Sequence, residues 1–255
     1  MDRAEVLRLF DGTMRAAPWV EAGTRLEWAG EVLRRLGAQN FIEWWTFDAA
    51  GARAAVEAEA AHFRAIGERV EWKVYSHDGP AGLEGELARA GFEPDDLETF
   101  MVFDLEAGTL EGPEAEGVEI RRAADEEGLA DLMATNTAAF GREQGWLAAE
   151  LKARLADPTL ALYVAYLEGR PVASGRLEMA PQRAFAGLYG GGVAPAHRGR
   201  GIYRALVAAR AREARRRGYR YLTVDAADTS APILKRLGFE ALARVRGWVL
   251  GALSC

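Results

Sequence analysis

The chain has 255 residues, 49% of them apolar and 27% charged, with one cysteine and a formal net charge of −6. That length and apolar fraction supply one large core or two modest ones, and they exclude a disordered, collagen-like or disulfide-stapled chain. The opening Met1-Asp2-Arg3-Ala4-Glu5 has no targeting pattern and no apolar run approaches the roughly 20 residues of a membrane span, so the expectation is a soluble, cytoplasmic protein.

In chain order, Ala49–Ile66 carries a helical pattern closed by Gly67, Val70–Tyr75 reads as a strand, Leu83–Ala90 as a helix and Phe100–Leu105 as a strand. Trp44, Trp45 and Trp72 are read as core, because large aromatics dominate buried area. His77-Asp78 reads as a turn with a capping aspartate. Residues 105–117 are acidic, glycine-containing and without period, and are taken as a linker between an N-terminal unit, 1–107, and a C-terminal unit, 117–255.

The second unit opens with a strand at Val118-Glu119-Ile120, followed by a helix that Asp125 can cap. Leu160–Leu167 and Val172–Met179 form a hairpin pattern, and Ala184–Val193 extends it to an antiparallel meander. An amphipathic crossover helix runs from Gly201 to Arg217, with Gly218 suited to a left-handed C-terminal stop. Tyr219–Asp225 then reads as a strand, Ile233–Leu237 as a short helix, and Val245–Leu250 as the last strand. The expected class is an α/β protein with a mixed sheet, meander first and crossover second.

Two segments echo each other. Leu87-Ala88-Arg89-Ala90-Gly91-Phe92-Glu93 and Leu234-Lys235-Arg236-Leu237-Gly238-Phe239-Glu240 agree at five of seven positions, and the elements around them follow the same order. A diverged internal duplication accounts for both facts.

The charge total conceals an asymmetry: residues 1–120 sum to −14 and residues 121–255 to +8, with ten arginines against the single acid Glu213 between 183 and 220. Such a block suits a phosphorylated ligand, a nucleic acid or a solvated helix face. Inside it lies Gly190-Gly191-Gly192-Val193-Ala194-Pro195-Ala196-His197-Arg198-Gly199-Arg200-Gly201-Ile202-Tyr203, a strand entering a glycine loop that opens onto a helix start. Backbone amides there, with the positive end of the helix, make a nest for an oxyanion. The P-loop pattern is absent, and the loop follows a meander rather than opening a dinucleotide-binding unit.

The segment Val193-x-Pro195-x-x-Arg198-Gly199-Arg200-Gly201-Ile202 resembles the acetyl-CoA signature of the GNAT acetyltransferase superfamily, and Ser230–Phe239 resembles its closing helix with the Leu-Gly-Phe ending. The resemblance covers roughly residues 117–250 and implies a GNAT-like fold, with acetyl-CoA as cofactor and an amine as acceptor. It implies that backbone amides of Arg198, Gly199, Arg200, Gly201, Ile202 and Tyr203 hold the pyrophosphate, that Gly191 and Val193 pair with pantetheine, and that the Val193 amide polarises the thioester carbonyl. Two positions depart from the pattern. Tyr203 stands where glycine or alanine is usual, so its side chain must point away or reshape the pocket; Leu234 stands where many members carry the tyrosine that protonates the leaving thiolate.

The acid and base follow from position only. By period two, residues 187, 189 and 191 share one strand face. Gly187 replaces a glutamate base found in some relatives, so Tyr189 is the first catalytic candidate and Glu178, on the preceding strand, the second. His197 reads as a surface residue, Cys255 as a tail thiol, and no metal site is expected. The first unit has Phe47-Asp48-Ala49-Ala50-Gly51-Ala52 in place of a phosphate loop, so it reads as a smaller, degenerate and partial GNAT-like unit without its own cofactor. The expected function is acetyl transfer to an amine of a small molecule or peptide, with no nucleic acid or membrane as partner. The alternatives are a non-catalytic acyl-CoA-binding regulator and, from the arginine block, a nucleic-acid binder.

Overall fold

A computed structural model describes residues 1–110, 115–143 and 145–251. The chain divides into two compact units.

The first half supplies α1 (Arg3–Phe10), β1 (Arg25–Ala29), β2 (Val32–Leu36), β3 (Asn40–Trp45), α2 (Ala52–Ile66), β4 (Val70–Tyr75), α3 (Leu83–Arg89) and β5 (Glu93–Asp104). The second supplies β6 (Val118–Ala123), α4 (Glu126–Phe140), α5 (Gly145–Ala153), β7 (Leu160–Leu167), β8 (Arg170–Glu178), β9 (Phe185–Val193), α6 (Ile202–Arg216), β10 (Tyr221–Ala226), α7 (Ala231–Arg236) and β11 (Glu240–Leu250).

Unit 1 takes Met1–Phe100, Asp225–Asp228 and the chain from Leu242 through β11. Its strands run β1-β2-β3-β4-β11, antiparallel except for the β3–β4 step, which α2 crosses over. Val56, Phe63, Trp45, Trp72, Leu87 and Trp248 form its core. The helix ends follow the sequence: Gly67 is left-handed at φ +70 and closes α2.

Unit 2 takes Met101–Val224 and Thr229–Ala241. Its strands run β6-β7-β8-β9-β10, a meander with one parallel step between β9 and β10 that α6 crosses over. Asp125 caps α4 by accepting the Gly128 amide at 2.8 Å. One face is covered by α4 and α5, whose Leu129, Leu132, Leu147 and Leu151 pack on Leu160, Leu162 and Val164. On the other, α6 buries Leu206, Val207, Ala211 and Ala214, each large aliphatic side chain contributing about 2 kcal/mol.

The mixed α/β architecture is as the sequence implies, with differences of detail. The units divide inside β5, between Phe100 and Met101, rather than within residues 105–117, and most of β11 groups with unit 1. β5 starts at Glu93, seven residues early; Glu93-Pro94-Asp95-Asp96 lacks any strand alternation and is exposed, so only its backbone reveals it. The echoed segments prove to be one turn used twice: Gly91 and Gly238 are left-handed at φ +87 and +94, and Phe92 and Phe239 return amides to Leu87 and Leu234 at 3.0 and 3.1 Å.

Candidate functional site

The β9–β10 ladder pairs only Phe185, Ala186 and Gly187 with Tyr221, Leu222 and Thr223, although β9 runs on to Val193. Beyond Gly187 this edge of β9 is open. Its last residues are Gly190-Gly191-Gly192-Val193, leading through a short turn at Pro195–His197 to the start of α6.

The start of α6 is uncapped. Gly199 and Gly201 are left-handed at φ +78 and +79, and no side chain caps the helix at Gly201, so the amides of the first turn face out. Arg198 differs from the expectation: its own amide bonds to the Pro195 carbonyl at 3.3 Å, and its guanidinium holds the Val193 and Ala139 carbonyls at 3.1 Å each. It clamps the loop, and the available donors begin at Gly199. The Ala194 amide pairs with Val172 of β8 at 2.9 Å, so the alternation of the strand turns the Val193 amide to the open edge.

The shared strand face holds for residues 187 and 189, where a Cβ on Gly187 would meet the Tyr189 ring, but not for residue 191. Between Ser174↔Gly192 and Arg176↔Tyr189 one residue of β8 opposes two of β9, a bulge in which Gly190 takes φ +55. Tyr189 and Gly191 consequently face opposite ways. A Cβ on Gly192 would meet Ala139 and Phe140 of α4, whereas one on Gly191 would lie 3.1 Å from Arg210 Nη2 and 3.3 Å from Tyr203 Cε2 of α6. The period-two argument failed at residue 191 because a glycine run permits a bulge that a side-chain pattern cannot announce.

On the α4 face, Arg176 links the two catalytic candidates. Its Nε donates to Glu178 Oε1 at 2.9 Å, and its guanidinium lies 5.3 Å from the Tyr189 ring centre. Tyr189 is 40% exposed. Nearby, Asn136 Oδ1 and Ser174 Oγ are buried polar atoms without a partner among the described residues.

On the α6 face stand two residues that sequence reasoning undervalued. Tyr203 turns toward β9, its Cε2 3.3 Å from a Cβ on Gly191. Its hydroxyl shares a hydrogen bond with Ser230; burial raises its pKa, against the opposing pull of Arg210. Arg210 is 1% exposed, donates to the Leu206 and Arg176 carbonyls at 3.2 Å each, and forms no ion pair among the described residues. Burial pushes its pKa down to about 10. The clue in the sequence was an arginine on the apolar stripe of α6, facing two glycines, Gly175 and Gly191. Leu234 is fully buried and carries no titratable group.

Four of the eight other arginines of the block are structural. Arg215 donates to the Leu105 and Gly108 carbonyls, Arg216 and Arg217 pair with Glu213 at 2.8 and 2.6 Å, and Arg220 pairs with Asp104 and Glu106 at 3.6 and 3.2 Å. His197 is half-buried rather than a surface residue. In unit 1, Asp78 accepts the Tyr75 amide at 2.8 Å and joins Arg15 at 2.7 Å, while His77 bonds to Asp11 at 2.9 Å. Among the described residues no group of His, Cys, Asp and Glu could hold a metal ion, and no helix is long and apolar enough to cross a membrane. Cys255 lies outside the described residues.

Residues 126–239 match the model of the acetyltransferase (GNAT) family. No curated protein matches the chain in sequence. Among solved structures, a GCN5-related N-acetyltransferase from Kribbella flavida is similar with a TM-score of 0.68 at 18% identity, over 98% of this chain and 95% of that one. A tandem GNAT protein from the clavulanic acid biosynthesis pathway gives 0.64 at 15% identity, over 93% and 86%. A GCN5-related N-acetyltransferase from Sphaerobacter thermophilus gives 0.61 at 18%, over 97% and 84%. At these identities the likeness is one of fold.

Proposed function

We propose, from the match of residues 126–239 to the acetyltransferase (GNAT) family model, that the protein transfers an acetyl group from acetyl-CoA directly to an amine of a small molecule or peptide, in the cytoplasm. The observation that carries this reading is the open edge of β9, glycine-lined and ending at an uncapped helix start. The residues fit the cofactor: the left-handed glycines turn amides outward, and nothing stands within 4 Å of a Cβ on Gly199.

Bound acetyl-CoA supplies an activated thioester. Amides from Gly199 to Tyr203 hold its pyrophosphate, strengthened by the dipole of α6. Gly191 and Val193 offer backbone to the pantetheine arm, and the Val193 amide donates to the carbonyl being attacked. Tyr189 is the first candidate to take the ammonium proton of the acceptor, through a water, and Glu178 the second. Leu234 has no proton to give, so the Tyr203 hydroxyl carries the proton for the departing sulfur, with the Arg210 charge beside it.

The buried, apolar Leu234 also favours a second reading, a non-catalytic acyl-CoA-binding regulator. One experiment separates them: CoA-thiol release with a broad panel of amines, alongside acetyl-CoA binding by calorimetry, in the native chain and Gly201→Glu. Thiol release that Gly201→Glu abolishes together with binding supports transfer. Binding without release for every amine supports the regulator, and binding that survives Gly201→Glu overturns the loop assignment.

A further inference from the structure

Unit 1 holds a cleft of about 420 Å³ that the acetyl-transfer reading does not use. One wall is the loop between β4 and α3 with the first turn of that helix; the other is β11, with Leu97 of β5 at the rim. A Cβ on Gly82 or Gly85 would meet nothing within 4 Å, so the loop side is open space rather than packed core.

The opposite wall is basic. Arg246 pairs with Val74 in the β11–β4 register, and Arg244 lies two residues before it. By strand alternation both occupy the face that carries Trp248 and Leu250 into the core, so their side chains leave at the edge of that core. Among the described residues neither forms an ion pair, and Arg246 Nε is buried without an acceptor. A buried donor without a partner costs about 1–3 kcal/mol. The acids of the cleft do not neutralise the pair: Asp78 is held by Arg15 at 2.7 Å, and Glu84 accepts the Trp248 indole N–H at 3.4 Å.

We propose that this cleft binds a small organic anion, its carboxylate or phosphate group on Arg244 and Arg246 and its apolar body against Val74, Leu83 and Leu97. A few hundred cubic ångströms suits one compact molecule. The two guanidinium groups supply both the contacts and the charge. This inference rests on unit 1 by itself and stands whether or not unit 2 transfers acetyl groups.

The test is calorimetric titration of the full chain with benzoate, phenyl phosphate and inorganic phosphate. Saturable binding of one aromatic anion per chain is expected, and the tighter of benzoate and phenyl phosphate identifies the preferred head group. Two variants probe the two walls: R244Q/R246Q removes the charge, and Gly85→Leu fills the cleft while keeping both arginines. Each should weaken binding at least tenfold, with circular dichroism and thermal melting matching the native chain. Absence of saturable binding for both aromatic anions overturns the proposal, as does binding within twofold of native in both folded variants. Inorganic phosphate binding as tightly as phenyl phosphate overturns the apolar part of the assignment.

Discussion

Asp48 Oδ1 accepts the Gly51 amide at 3.1 Å, and the Ala50 amide at 2.9 Å, at the start of α2. A side-chain carboxylate thus occupies in unit 1 the kind of position that unit 2 leaves open at the start of α6. The parallel ladder of β3 and β4 also stops after three pairs, at Ile42↔Trp72. Here the gap is filled: Trp45 donates to the Gly79 carbonyl at 2.6 Å and packs 5.4 Å from Trp72. The expected stoichiometry is therefore one CoA per chain. Calorimetry should give one site for the native chain and for Asp48→Gly, and two sites in either would contradict this assignment.

Gly191 faces Arg210, so Gly191→Ala should press a methyl group into the guanidinium and the Tyr203 ring. Acetyl-CoA affinity is expected to fall about tenfold, a cost near 1.4 kcal/mol within the range for overpacking. Calorimetric titration checks this, and an unchanged affinity would place the cofactor elsewhere than along β9.

Tyr203→Phe removes a hydroxyl while preserving the ring beside Gly191. If that hydroxyl carries the proton for the departing sulfur, kcat should fall about 100-fold with acetyl-CoA affinity within twofold of native. Steady-state kinetics on any accepted amine, paired with calorimetry, gives the comparison. A variant with native kcat would remove Tyr203 from the reaction.

Arg15 is 4% exposed and rests on Asp78 at 2.7 Å and Asp11 at 2.8 Å, with the Tyr75 ring 4.4 Å from its guanidinium. Asp78→Ala removes one of its two carboxylate partners, and the expected loss of stability is about 3 kcal/mol. Denaturant unfolding measures it. A loss under about 1 kcal/mol would mean that Asp11 and the aromatic rings suffice.

Glu98 is pushed up to about 7 from 4.5, chiefly by burial, with Asp225, Asp95 and Glu71 adding to the rise and Lys73 opposing it. A raised native pKa means the folded state holds the proton more tightly than the unfolded one. Its contribution to stability is complete below about pH 4.5 and is lost as pH climbs through about 7, by at most about 3 kcal/mol. Melting temperatures of Glu98→Gln minus native should rise from pH 5 to pH 8. A flat difference would show that Glu98 titrates normally.

The sequence by itself determined the elements that local chemistry dictates. Asp125 announced a helix start, Gly67 and Gly238 announced helix ends, and the glycines between Val193 and Ile202 announced the loop that opens onto α6, because caps and left-handed glycines act within a few residues. Asp48 was legible for the same reason. Only the tertiary structure decided what depends on partners distant in sequence. The bulge at Gly190 separates Tyr189 from Gly191 through pairing with β8. Arg210 and Tyr203 converge on one glycine strand from α6. The boundary inside β5 and the grouping of β11 with unit 1 arise from strand pairing between residues more than a hundred positions apart, which no local pattern encodes.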